Sequence, residues 1–162
     1  MSLDMTEFVP LALILPLLVW IAFMDMQQQT IPNKIVLGML LVFVLTTPFF
    51  LSLPEIGYRL IAAGIVFLLG FAGFALRLWG GGDVKAITAL VLFLPSVTLS
   101  IYAFAFSLSM FLGMVVVLSL RSVIGHSESH WISLRPKAGF PMGVSIALSG
   151  ILLPVIVVLP SH

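Results

Sequence analysis

Charge is what this 162-residue chain has least of: only 8% of its residues are Asp, Glu, Lys or Arg, and the formal net charge is +1. A nucleic-acid-binding surface needs a dense basic face, so that class is excluded. Cysteine is absent altogether, which excludes disulfides, thiolate metal sites and a cysteine nucleophile. A phosphate-binding loop is missing too. The one glycine cluster, Gly80-Gly81-Gly82, lacks the Walker spacing and its Lys-Ser/Thr ending. The longest polar stretch, 121–137, has only the length of a loop. No room is left for a second, soluble domain, and a single membrane domain over residues 1–162 is expected.

What is present is apolar. Residues of the set AVILMFWYC make up 61% of the chain and the mean hydropathy is +1.27. Soluble domains reach roughly 45–50% even when glycine is counted. Apolar runs near the length of a membrane span recur throughout. They predict an all-α polytopic membrane protein with six transmembrane helices, at about 8–24, 35–53, 56–78, 84–95, 97–120 and 139–159. Residues 1–7 carry Asp4 and Glu7 but no Lys or Arg. The basic n-region of a signal peptide is therefore missing, and the first span is expected to be retained.

The basic residues set the orientation. With the N-terminus outside the cytoplasm, the inner segments hold Lys34, Arg77, Lys85, Arg121, Arg135 and Lys137, six of the seven Lys and Arg residues. Only Arg59 falls outside, near Glu55. The positive-inside rule thus favours both termini outside. That arrangement places Asp25 and Asp83 on the same, cytoplasmic side.

These two aspartates carry the chemistry. A charged group within a span costs about 2.5–3.5 kcal/mol on insertion, so it is a functional candidate by default. Asp25 ends the first apolar run, six residues before Ile31-Pro32-Asn33, and Asp83 follows the glycine triplet. Pro32 suits the first turn of a helix, with Thr30 or Ile31 at its cap. The glutamines at 27–29 then form the cytoplasmic connection. From Asp83 to Pro95 the fourth span gives only roughly 20 Å of helix against a core of about 30 Å. Asp83 is therefore recessed, and the glycines form irregular backbone around a wet cavity that a peptide can approach closely.

Taken singly, a carboxylate at a helix end is an interfacial charge and a glycine triplet is a loop. Taken together, on one side and among so few charges, they suggest a membrane aspartic hydrolase. Two close carboxylates share a proton. One acts as base toward water and the other as acid toward the scissile carbonyl. Lys85 could tune the pair, but anchoring the fourth span at the headgroups is the favoured role.

Asp25-(x)5-Ile31-Pro32-Asn33 followed by Gly80-Gly81-Gly82-Asp83-Val84-Lys85 resembles the type IV prepilin peptidases, the GxGD class of membrane aspartic proteases. A third segment, Phe140-Pro141-Met142-Gly143-Val144-Ser145-Ile146-Ala147, is similar to that family's Pro-Tyr-Gly-x-Ala-x-Ala stretch. Met142 stands for the usual tyrosine and Ser145 for a usual alanine. The resemblance implies that Asp25 and Asp83 are the catalytic pair. Gly80, Gly81, Gly82, Lys85, Ile31, Pro32, Asn33, Pro141 and Gly143 would support them. It implies no metal and no cofactor. The implied partners are a prepilin, cut at the cytoplasmic face just after a short basic leader, and the lipid of a bacterial inner membrane. Family members that also methylate carry an N-terminal region with paired cysteines, so the short, peptidase-only type of Flp or tight-adherence systems is expected here.

Other readings were weighed. An ion-coupled transporter also uses intramembrane carboxylates, and a GxGD protease could act on other membrane proteins. His126 and His130, with Glu128 between them, have a spacing that could hold a metal on a helix. A solvated loop with Trp131 at the interface is favoured, and a serine–histidine triad lacks a positioned acid. Gly139, Gly143 and Ala147 are expected along one face of the sixth span, where a mobile gate is the alternative role. Gly64, Gly70 and Gly73 mark helix contacts in the third.

Overall fold

The computed structural model describes residues 5–125 and 129–158, and these contain six α-helices and no strand. In order they are α1 (Val9–Gln28), α2 (Asn33–Phe50), α3 (Leu53–Ala75), α4 (Gly81–Val91), α5 (Leu99–Ile124) and α6 (Met142–Val158). Short 3-10 turns lie at Met5–Phe8, Ser96–Thr98 and Ile132–Leu134. Helices α1, α2, α3 and α5 are long and apolar enough to cross a membrane. At 11 residues α4 rises about 16 Å, well short of a span.

Several boundaries differ from the sequence expectation, each for a local reason. Helix α1 runs on to Gln28, so Gln27 and Gln28 are helical and the connection begins at Gln29, whose left-handed backbone (φ 52°) ends the helix. Pro32 is itself the N-cap of α2, in extended conformation (ψ 133°), because it has no N–H to lose there. The glycine triplet is mostly helical: Gly80 is the extended N-cap and α4 begins at Gly81. Positive φ falls instead on Gln29, Arg77 and Lys137, and on no glycine among the described residues.

Packing starts from α1, whose buried positions Leu11, Ile14, Leu18, Ile21 and Asp25 alternate steps of three and four. This stripe faces the partner helices as a coiled-coil seam does. Helix α1 packs against α2 and α6, and α6 against α5. Helix α4 touches α2, α3 and α6, and its Val84, Ala86, Ala89, Leu90 and Val91 are buried. A helix too short to span is thus enclosed by longer ones. Small residues set the close approaches. A Cβ at Gly70 would lie 2.8 Å from Val84, and one at Gly150 would lie 2.7 Å from Leu18. Gly64, by contrast, faces open space and marks no contact. Gly139 precedes α6, so the small-residue face begins at Gly143.

Between α5 and α6 the glue is polar. Ser145 Oγ donates to the Ser109 carbonyl at 3.2 Å, and the Ser149 and Tyr102 hydroxyls pair at 3.3 Å. Outward positions such as Leu60, Ile61, Leu68 and Leu69 on α3 and Phe104 and Phe111 on α5 are exposed. Lipid tails solvate such a surface.

Arg59, the one basic residue assigned to the outer side, is a buried one. It is 0% exposed. Its Nε donates to Glu55 Oε1 at 2.8 Å, and Nη2 reaches the Glu7 carbonyl at 3.4 Å and its Oε2 at 3.5 Å. Glu55 also accepts from the Ser96 N–H at 2.8 Å and from its Oγ at 2.7 Å. One buried pair therefore joins the start of α3 to the turn before α5 and to the segment before α1. Breaking a buried pair leaves an uncompensated charge, which costs about 3–5 kcal/mol. Arg59→Ala is expected to lose stability on that scale in thermal unfolding of detergent-solubilised protein.

Candidate active site

Asp25 continues the apolar stripe of α1 as its last member, and is only 4% exposed. A carboxylate can occupy that position because a donor waits there. Gly143 is the second residue of α6, so its N–H has no partner inside the helix. It donates to Asp25 Oδ2 at 2.6 Å. The positive end of the α6 dipole adds to the same effect. Only glycine allows this approach, since a Cβ at 143 would lie 2.8 Å from the Asp25 Cβ.

The backbone at Asp25 is tied down as well. Its carbonyl accepts from the Gln29 N–H at 2.9 Å and from Ser133 Oγ at 3.1 Å. Arg121, in the last turn of α5, donates to the Ser133 carbonyl at 2.7 Å and to the Gly139 carbonyl at 3.2 Å. Gln29 Nε2 donates to that same Gly139 oxygen at 2.7 Å. The segment before α6 is thereby stitched to both α1 and α5, which fixes where the Gly143 N–H points.

Asp83 meets a second helix N-terminus. It is the third residue of α4, and its side chain accepts from the Gly80 N–H, half of a capping box. The absence of a side chain at Gly80 makes room: a Cβ there would lie 2.7 Å from Asp83 Oδ2. Capping alone would explain Asp83 as a structural residue. Its other surroundings add to that. Asp83 and Asp25 line one cavity of about 280 Å³, with Gln29, Thr30, Ile31, Gly80, Gly81 and Gly82.

The two sequence motifs are joined directly. Lys85 Nζ donates to Asn33 Oδ1 at 3.1 Å, so Lys85 ties α4 to the start of α2. Ile31 is buried against Gly82. Pro141 is buried immediately before α6. Asp25, Asp83, the glycines and Ile31 meet at the cavity, while Pro32, Asn33, Lys85, Pro141 and Gly143 support it from behind. Sequence reasoning missed Gln29, Ser133 and Arg121. Their side chains act on main-chain carbonyls, which no residue pattern reveals. Of His126, Glu128 and His130, whose spacing carried the less favoured metal alternative, only His130 is among the described residues, and it is exposed. His126 and Glu128 lie outside the described residues. Trp131 packs edge-on against Phe23, with ring centres 5.3 Å apart.

Fold and site together define an all-helical integral membrane protein with paired carboxylates in one polar cavity. The sequence profile of the type IV leader peptidase family matches residues 12–118, more than half of the chain and inclusive of both aspartates, and the chain belongs to that family. It finds no significant match among curated proteins or solved structures.

Two glycine substitutions separate packing from chemistry. Gly143→Ala must push α6 off α1, an overpacking that costs about 1–3 kcal/mol, and is expected to lower both stability and leader cleavage. Gly80→Ala meets only the end of the Asp83 side chain. It is expected to keep its melting temperature while cleavage falls, both read on purified protein.

Proposed function

We propose that this protein is a membrane-embedded aspartic endopeptidase that removes the leader from a prepilin-type precursor at the cytoplasmic face. One observation carries the reading: two carboxylates from different helices face one polar cavity in a chain with almost no other charge. In the working state one of the pair is ionised and the other protonated, as adjacent carboxylates require. The ionised carboxylate takes a proton from water, whose oxygen attacks the scissile carbonyl. The protonated one gives its proton to the carbonyl oxygen. Collapse of the tetrahedral species then breaks the C–N bond, and a proton passes to the leaving amine. Helix N-termini behind both aspartates stabilise the negative charge that must remain in the pair.

Family membership favours peptide hydrolysis over ion transport. The proposed topology has six membrane-inserted helices, α4 reaching only part of the way across, with both termini outside and the peptidase domain extending over residues 1–162 in the inner membrane. The orientation follows from the distribution of Lys and Arg. With that orientation the N-terminal end of α4, and the cavity beside it, face the cytoplasm.

Asp25→Asn and Asp83→Asn are each expected to fold and to lower processing of a co-expressed precursor by at least about 10²–10⁴-fold, the scale of general acid–base catalysis. Normal processing by either variant would overturn the assignment. For topology, the cysteine-free chain accepts single cysteines. Leu53→Cys is expected to react with an impermeant thiol reagent added outside intact cells, and Lys34→Cys only after lysis.

A further inference from the structure

The mouth of the cavity holds a short piece of backbone whose hydrogen bonds are unmade. Residues 30–32 lie between the end of α1 and the start of α2 and belong to no helix. Ile31 precedes proline, which keeps it out of the helical region. Among the described residues the Thr30 and Ile31 N–H and C=O groups make no hydrogen bond to the protein. Thr30 is exposed, but Ile31 is buried, at only 8% exposure. Buried backbone groups are nearly always paired, and the cavity that both residues line is where a partner for the Ile31 groups can arrive.

Gly82 lies against that edge and adds no side chain to cover it. A Cβ at 82 would lie 3.3 Å from the Ile31 Cβ, 3.5 Å from its nitrogen and 3.6 Å from its carbonyl oxygen. An alanine there fits with a small shift but covers the peptide edge. Gln29 extends the strip. Its amide nitrogen is committed to the Gly139 carbonyl at 2.7 Å, which assigns the amide orientation and leaves Oε1 as a free acceptor in the cavity wall.

We propose that the Thr30–Ile31 backbone and the Gln29 amide oxygen form a docking strip on which the substrate's main chain pairs in extended form beside the carboxylates. The proposal rests on the peptidase reading above. An extended peptide added to an open backbone edge gains affinity from main-chain hydrogen bonds without demanding particular side chains. The strip therefore recognises a polypeptide main chain next to the scissile bond, and not a side-chain sequence. It also gives the last glycine of the Gly80–Asp83 run a role unrelated to backbone flexibility: Gly82 puts no side chain over a hydrogen-bonding edge.

The test pairs a change in the enzyme with a change in the substrate. A precursor peptide is N-methylated at one amide at a time around the scissile bond and cleaved by wild type, Gly82→Ala and Gln29→Leu. In wild type, methylation at a position facing the strip is expected to lower kcat/KM by about tenfold, the factor for one peptide hydrogen bond. Gly82→Ala replaces glycine inside a helix and is expected to hold or raise the melting temperature, with KM raised and kcat little changed. In both variants the methylation penalty at that position is expected to shrink, the non-additivity of groups that touch. Uniformly small penalties in wild type, or penalties that persist unchanged in Gly82→Ala, overturn the strip while Asp25→Asn remains inactive. Cleavage by Asp25→Asn at the wild-type rate overturns the peptidase reading instead, and the strip with it.

Discussion

A carboxylate can sit at the end of a buried apolar stripe only if something charged or polar meets it, and here the Gly143 N–H does so at 2.6 Å. Much of the molecule follows from that one bond. It fixes the start of α6 against the end of α1, which requires glycine at 143. It also requires the segment before α6 to be held in place, and Gln29 and Arg121 do this through one carbonyl oxygen. The opposite wall repeats the solution in another form, with α4 presenting Gly80 and Asp83 at its own N-terminus. The cavity is therefore a meeting of two helix starts, each bringing backbone donors to a carboxylate.

Much of this was legible in the chain. The scarcity of charge marked both aspartates, and the apolar runs predicted an all-helical membrane fold. The spacing Leu11, Ile14, Leu18, Ile21, Asp25 even shows, in hindsight, which face of α1 the carboxylate shares. The short fourth helix was also visible, because Asp83 and Pro95 bracket it.

Other features were hidden for physical reasons. The glycine triplet suggests irregular backbone, but all three glycines take conformations open to any residue. What matters at 80 and 82 is the missing side chain, and space has no sequence signature of its own. The irregular backbone lies instead at Thr30–Pro32, where no glycine advertises it. The burial of Arg59 was hidden because nothing in its neighbourhood names Ser96 or Glu7 as partners. Gly139 reads as part of a helical face until Pro141 is seen to set the start of α6. Contacts made by main-chain atoms escape pattern reading, and this site is assembled largely from them.

The buried cluster of Arg59, Glu55, Glu7 and Ser96 has a mechanical meaning for the whole bundle. It clamps the end of the fold remote from the cavity, binding the start of α3 and the turn after α4 with charged hydrogen bonds inside the protein. The cavity end of α4 is held by much less: an exposed lysine on an asparagine, and small residues in van der Waals contact. The two ends of the molecule are thus held differently, by a buried charge cluster at one pole and by main-chain hydrogen bonds and close glycine contacts at the other. The carboxylates therefore sit where the fold is assembled from backbone donors, at the opposite end from its buried charges.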